Sequence, residues 1–375
     1  MSTERRHLRR DRWLIGAFAA LMVASATTLA TGLAFAKPPR PDVVDRHVAI
    51  GDDRLLSVLF AGDTMLGDGA GPTIKAGGYS AVLQNVRPQV TTADYSIVNS
   101  ESPMTRSTAA ARPGAKYSYA ADPLTAVALK AAGVDALALN NNHVMDRGAV
   151  GLSDTMSAAA RAGLAAFGAG ANAAEAQRPL LLRSDVGAIA VVNLGENFGP
   201  LSRADEAKPG AVVLTPSAVQ QAYDRARLAG ADRVIAFVHW GDNYAPVNDQ
   251  QRYWAQALVE AGYDAVIGTG PHIAQSLEFI NGVPVFYSLG NFVFGAPGRF
   301  ATFGQQGFGL TVTVNLGKSV PLSFTVRCLA VNNEDPTVAY KARPCTAAER
   351  AQAFSASLPP NASRTGDAAV ISGAK

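Results

Sequence analysis

Cysteine is nearly absent from this chain: its 375 residues hold two, Cys328 and Cys345. Neither lies in a CxxC pair or beside a histidine, which argues against zinc held by thiolates. With no cysteine near the end of the N-terminal leader, a lipoprotein anchor is excluded. Outside the cytosol the two thiols can close a C-terminal hairpin or tail as a disulfide; the other reading leaves them unpaired and unrelated. A Gly-rich phosphate loop of either standard type is also missing, so a plain nucleotide- or sugar-binding protein has no support. Charge is sparse, at 17% of residues, and the formal net charge of +3 is local. Residues 1–36 hold Arg5, Arg6, Arg9, Arg10 and Arg12 against Glu4 and Asp11, and the remainder balances at 28 basic and 28 acidic side chains. A neutral body excludes nucleic acid as the expected partner and broad electrostatic capture of polyanions, so recognition has to be local or metal-mediated.

What is present begins with an export signal. The basic stretch to Arg12 is followed by an uncharged run from Trp13 to Ala36, and Ala34-Phe35-Ala36 fits a small-x-small cleavage site. As a helix that run would be ~36 Å long, enough to cross a bilayer as an uncleaved anchor with the arginines inside. Residues 1–36 are thus a signal peptide or signal anchor, and the expected location is extracytoplasmic, secreted or held at the membrane.

The body is 48% apolar and long enough for one large α/β domain. After a link over 37–54, short apolar runs alternate with helix-like segments. Strands are expected at Leu55–Ala61, Tyr95–Asn99, Ala136–Leu139, Ala188–Leu194, Val234–Val238, Ala265–Ile267, Val285–Leu289 and Leu310–Val314. Most are continuous apolar runs, as for strands covered on both faces. Helices are expected at Pro123–Ala132, Gly148–Ala162, Pro216–Ala229 and Asp249–Ala261, each followed closely by glycine. The sequence Ala-Gly-x-Asp occurs at 132–135, 229–232 and 261–264 and reads as a helix-to-strand turn. After Phe308 the pattern alternates, suggesting antiparallel strands at one side of a sheet. The domain is expected over 55–330, with a C-terminal extension over 331–375 whose end, from Thr346, has little periodicity and reads as disordered. The fold class is α/β, a layered sandwich with its loops on one edge.

Three of the four histidines outside the leader fall where a strand gives way to a loop. His47, in the link, is the exception. His143 follows Asn140-Asn141-Asn142, with Asp146 three residues on, close enough to orient the imidazole and raise its basicity. His239 ends an apolar strand and precedes Trp240-Gly241-Asp242. His272 follows Gly270-Pro271, a rigid turn that aims the ring. Asp63 closes the first strand and Glu101 the second, at the carboxyl ends where α/β folds gather ligands. Three asparagines after a buried strand are costly unless coordinated or hydrogen-bonded. Carboxylate, amide and imidazole groups from successive strand ends suit a hard-to-borderline metal ion. Asn291, in Ser288-Leu289-Gly290-Asn291-Phe292, reads first as a structural Asx turn, and otherwise as a contact to substrate or to a residue behind the ligands.

The order of these motifs resembles the bacterial capsule-synthesis CapA family. Gly62-Asp63-Thr64-Met65, Asn99-Ser100-Glu101, Asn141 to Asp146, His239-Trp240-Gly241, Gly268 to His272 and Tyr287 to Phe292 carry the likeness, over roughly residues 55–315. The resemblance implies a branch of the calcineurin-like metallophosphoesterase superfamily, with a layered α/β/β/α sandwich and commonly a two-metal site. It implies Asp63, Glu101, Asn142, His239 and His272 as ligands of a divalent ion (manganese, zinc or iron). It places His143, oriented by Asp146, near the leaving group or the scissile bond. From their positions alone, Trp240, a bulky wall beside His239, and Asn291 are the residues expected to meet substrate. Two departures stand out: Met65 occupies the place of a superfamily histidine, and Thr269-Gly270 replace another ahead of His272. Each removes an imidazole, so one ion, or a weak second, is expected. Two functions follow: an exported metal-dependent hydrolase or transferase acting on an envelope polymer such as poly-γ-glutamate or its precursor, or a non-catalytic polymer-binding accessory subunit of a membrane synthase.

Overall fold

The alternation along the strand Leu56–Met65 sets the layering. Leu56, Val58 and Phe60 turn to one side and pack with Ile189, Val191, Ile235 and Phe237. Leu59 and Ala61 turn to the other and pack with Leu129, Leu137 and Leu152. A strand apolar on both faces must be covered on both. The computed structural model describes residues 42–373 apart from 52, 53, 197 and 319. In it, a second sheet covers the first of these faces and helices cover the second. Rings from the two sheets meet in the middle, with Phe60 and Phe237 edge to face at 5.3 Å. The far face of the second sheet packs against the helices Pro216–Leu228 and Asp249–Ala261 through Val219, Ala222 and Leu258. The four layers are those of the α/β/β/α sandwich expected from the sequence.

The site-bearing strands are parallel and adjacent. In one sheet Leu56–Met65 pairs in parallel with Tyr95–Ser100, which pairs in parallel with Ala136–Ala138. In the other, Arg233–His239 lies between Gly187–Gly195 and Ala265–Thr269, parallel to both. The alternating segment after Phe308 forms the antiparallel side expected of it: Phe308–Leu316 joins Leu56–Met65 to Ser323–Ala330. Each Ala-Gly-x-Asp turn contains a left-handed glycine, at φ 102° for Gly133, 95° for Gly230 and 104° for Gly262. The aspartate that follows latches the neighbouring strand: Asp135, Asp232 and Asp264 accept from the backbone N–H of Ser96, Ala188 and Val234 at 3.1, 2.8 and 2.7 Å.

Two expectations need correction. The link over 37–54 is not all connector, because Val44–His47 pairs in parallel with Leu180–Ser184 as an edge strand of the second sheet. The segment from Thr346 is not structureless. A capping box between Thr346 and Glu349 starts the helix Ala347–Ser357, which buries Ala353 and Phe354. The strands Ser363–Thr365 and Ala368–Ser372 then extend the first sheet beyond Ser323–Ala330. Alanine-rich composition hid a helix whose apolar stripe is only a few residues wide. The leader lies outside the described residues, and among those described no helix is long and apolar enough to cross a membrane.

Cys328, on Ser323–Ala330, and Cys345 form a disulfide across 17 residues of chain, which settles the alternatives left open by the sequence. Closing a loop of that size removes unfolded-state entropy equivalent to about 3 kcal/mol. Cys345→Ala should therefore lower unfolding free energy by about 2–3 kcal/mol in denaturant titration, and reductant should then have no further effect. Equal stability of the two proteins without reductant would contradict this.

Candidate metal centre

Asp63 reaches its place through a break in register. The pairing of Leu56–Met65 with Tyr95–Ser100 shifts between Ala61 and Asp63, and such irregularities re-aim a side chain at a strand end. Gly62 makes room for the turn beside it: a Cβ there would stand 1.8 Å from the Gly290 carbonyl oxygen. That oxygen accepts from the Asp63 N–H at 3.0 Å. Glu101 follows directly on Tyr95–Ser100, His239 ends its strand, and His272 stands just beyond Ala265–Thr269. His272 itself adopts φ 62°, a left-handed conformation uncommon for a residue other than glycine and concentrated at functional sites.

These strand ends, from both sheets, converge. His239 Nδ1 lies 3.7 Å from Asp63 Oδ1, and Nε2 lies 3.7 Å from Glu101 Oε1. His272 Nδ1 lies 3.3 Å from Asp63 Oδ2, and Nε2 lies 3.8 Å from Glu101 Oε1. Asn142 Oδ1 is 3.1 Å from His239 Nε2, so the fifth predicted donor joins the group. Asp63 and Glu101 are wholly buried, and His239 and His272 nearly so.

The donors fit a divalent ion on two counts. Among the described residues neither Glu101 oxygen has a hydrogen-bond partner, although both are shut away from solvent. Buried carboxylates are otherwise paired, hydrogen-bonded or coordinated. Donors about 2.0–2.2 Å from a common ion stand roughly 3–4 Å apart, as the oxygen–nitrogen pairs here do.

Electrostatics point the same way. Burial pushes the Glu101 carboxyl well above its ordinary range, and the charges of Asp63 and Asp146 push it further. Burial also acts to raise Asp63, but the hydrogen bond and charge of His272, the charge of His239 and the Asn99 amide outweigh it, leaving that carboxyl lowered. Burial takes His239 down to about 4 against the pull of Asp63. A neutral imidazole beside an ionised carboxylate is a ready ligand pair.

His143 and Asp146 form the pair expected of them, with Nδ1 2.6 Å from Asp146 Oδ2. Asp146 also accepts from the Tyr119 N–H at 2.8 Å and from Arg112 at 3.3 Å. Among the described residues no hydrogen-bond partner meets His143 Nε2. His143 and His272 line one cavity of about 250 Å³, walled by Tyr117, Tyr119, Tyr244 and Phe294.

One of the site assignments changes, and one is resolved between its alternatives. Trp240 has no exposed surface; its indole donates to the Tyr287 carbonyl at 2.7 Å and packs in the helix-side core. A ring with no free face has nothing to offer a substrate, so Trp240 is a support for the turn after His239. Asn291 is not an Asx turn but takes the supporting role that was its alternative: it opens the strand Asn291–Phe294, and its Oδ1 lies 2.9 Å from His272 Nδ1, fixing that ring.

Sequence reasoning gave Asn99 no role of its own. Its amide donates to Asp63 Oδ1 at 2.8 Å and lies 3.1 Å from His239 Nδ1. The three asparagines divide the work: Asn140 ties into Asn193 of the other sheet and into the Val212 carbonyl, Asn141 holds Asn99 and Ser100, and Asn142 faces His239. Tyr119 and Tyr244, aromatic residues in irregular segments, carried no signal beyond their residue type.

The raised Glu101 carboxyl has a stability consequence. The unfolded chain ionises near 4.5, while burial and the charges of Asp63 and Asp146 make the folded, metal-free carboxyl hold its proton to higher pH. Its contribution is thus fully present below pH 4.5 and is lost as pH rises through the folded value. In chelator at neutral pH, Glu101→Gln should be more stable than the native chain by about 1–3 kcal/mol, the order of an unsatisfied buried group. The difference should close by pH 4. Equal melting temperatures at pH 7 would count against an uncompensated Glu101.

The sequence profile of the family described as bacterial capsule synthesis protein PGA_cap matches residues 57–296. The chain is 31% identical to the PGA biosynthesis protein CapA of Bacillus subtilis, over 64% of either chain. It is 30% identical to the capsule biosynthesis protein CapA of Bacillus anthracis, over 65% of this chain and 61% of that one. It therefore spans somewhat under two thirds of the length of these relatives. A probable polyglutamine synthesis accessory protein of Mycobacterium tuberculosis is 33% identical over 47% of this chain and 49% of its own. Among solved structures, Haemophilus influenzae NAD nucleotidase (NadN) overlaps 81% of this chain and 57% of its own at 13% identity, with a TM-score of 0.47, too distant for an argument. With well over half its length matched, including every strand end that meets at Glu101, the chain belongs to the bacterial capsule synthesis protein family PGA_cap.

Proposed function

We propose that this chain is an exported, metal-dependent hydrolase or transferase acting on an envelope polymer such as poly-γ-glutamate or its precursor. The observation that carries the reading is the Glu101 carboxylate, wholly buried and without a hydrogen-bond donor, facing Asp63, His239 and His272. Asp63, Glu101, Asn142, His239 and His272 would hold a manganese, zinc or iron ion, and the replacement of imidazoles by Met65 and Thr269-Gly270 favours one ion over two. A divalent ion so held supplies Lewis acidity toward a carbonyl or phosphoryl oxygen and lowers the pKa of water. The side chains do the rest. Asp146 fixes the His143 tautomer through Nδ1, which keeps Nε2 available to move a proton at the leaving group. The rings of Tyr119, 4.3 Å from His143, and Phe294, 4.8 Å from His272, limit water around the imidazoles.

Relatives named for PGA biosynthesis, capsule biosynthesis and polyglutamine synthesis suggest the polymer class. The leader and the Cys328–Cys345 disulfide support export, since disulfides persist in oxidising compartments. A polymer-binding accessory subunit beside a membrane synthase is favoured by the two missing imidazoles, where buried Met65 and Thr269-Gly270 stand instead.

Turnover separates the two. The native chain loaded with manganese should cleave bis-p-nitrophenyl phosphate or a γ-linked glutamate oligomer. His143→Gln should keep the ion and lose about 10²–10⁴-fold in kcat, the usual share of general acid–base catalysis. A fully loaded native chain that turns over neither substrate would leave the accessory role.

A further inference from the structure

The cavity beside His143 and His272 is also lined by Arg299, a cation that the metal centre does not use. Between Arg106 and Lys116 the chain holds three basic residues and no acidic one. Arg106 is paired with Asp122 at 3.2 Å and Arg112 with Asp146 at 3.3 Å. Lys116 Nζ stands 5.3 Å from the Tyr117 ring centre. Arg299, from a distant part of the chain, stands 5.3 Å from that same ring, 5.0 Å from Tyr244 and 5.4 Å from Phe303. Tyr244 and Phe303 are themselves stacked, 5.3 Å apart and 7° from parallel. Among the described residues, neither Lys116 nor Arg299 forms an ion pair.

A guanidinium held against several rings is fixed in orientation at small entropic cost, and stacking occupies its faces while leaving edge N–H groups free for a planar anion. One hydrogen bond to Tyr244 uses part of that edge. Arg299, Tyr117 and Tyr244 line the same cavity of about 250 Å³ as His143 and His272; Asp68 also lines it but does not pair with Arg299. The volume is below the roughly 300–1,000 Å³ of pockets for drug-sized ligands, which suits a single polymer unit. Poly-γ-glutamate leaves one free carboxylate on every unit.

We infer that Arg299 is the carboxylate-recognition site that seats one glutamyl unit of a γ-linked chain next to His143 and His272, with Lys116, across the Tyr117 ring, as a weaker contributor of charge. The inference takes the polymer class from the proposed function and does not depend on turnover.

Binding of a γ-linked glutamate hexamer to the full chain, measured by calorimetry, tests it, with ion content assayed in every sample. The native chain should bind the hexamer and fail to bind its methyl ester. Arg299→Gln should weaken binding by roughly tenfold to a hundredfold, the order of a charge-assisted hydrogen bond, and keep the native ion content. Lys116→Gln should weaken it less. Unchanged affinity in Arg299→Gln, or equal binding of the ester, would overturn the assignment. Inorganic phosphate bound with the same dependence on Arg299, and no hexamer, would overturn it in favour of a phosphoryl ligand. The ester comparison uses the native protein, so it decides the matter even if a variant misfolds. Loss of ion without loss of hexamer binding would refute the metal reading alone.

Discussion

A carboxylate taken out of water with no donor facing it is tolerable only if it stays protonated or meets a cation. Glu101 is in that position, and the surroundings worsen it, since Asp63 and Asp146 add negative field. The rest of the site is understandable as the shell of this one group. His239 and His272 each bring a nitrogen within 3.8 Å of its Oε1, and both rings are held by other amides and carboxylates. Stability and function pull in opposite directions at Glu101, a common condition of preorganised sites.

The sandwich makes such a shell possible because two sheets end on the same edge. One contributes Asp63, Glu101 and Asn142, and the other contributes His239 and His272. Asn140 and Asn193 bond the sheets to each other just beneath the ligands, so the donors cannot drift apart independently. Any ion held by these donors would therefore depend on the packing between sheets, to which Phe60 against Phe237 contributes.

Much of this was legible in the sequence. Continuous apolar runs gave the buried parallel strands, and the Ala-Gly-x-Asp turns were read correctly, though not the latch each aspartate makes on the next strand. The candidate donors could be named because they cluster with polar residues near the ends of apolar runs and because the order of those motifs matches the family's. Trp240 was misread for a physical reason: position beside a ligand says nothing about which way a ring turns, and this one turns into the core. The same limit hid Arg299, which meets Tyr117 and Tyr244 only through tertiary folding. The helix Ala347–Ser357 escaped because Ala353 and Phe354 are too few to set a period, while its capping box at Thr346 and Glu349 was the available signal.

The most direct measurement is the ion content of the purified native chain after incubation with manganese, zinc or iron and removal of loose metal, beside His239→Ala and His272→Ala. One tightly held ion per native chain, or one with a weaker second, lost in both variants, is the result this account predicts. A native chain that retains no ion under any of the three, while folded and with its disulfide intact, would contradict it.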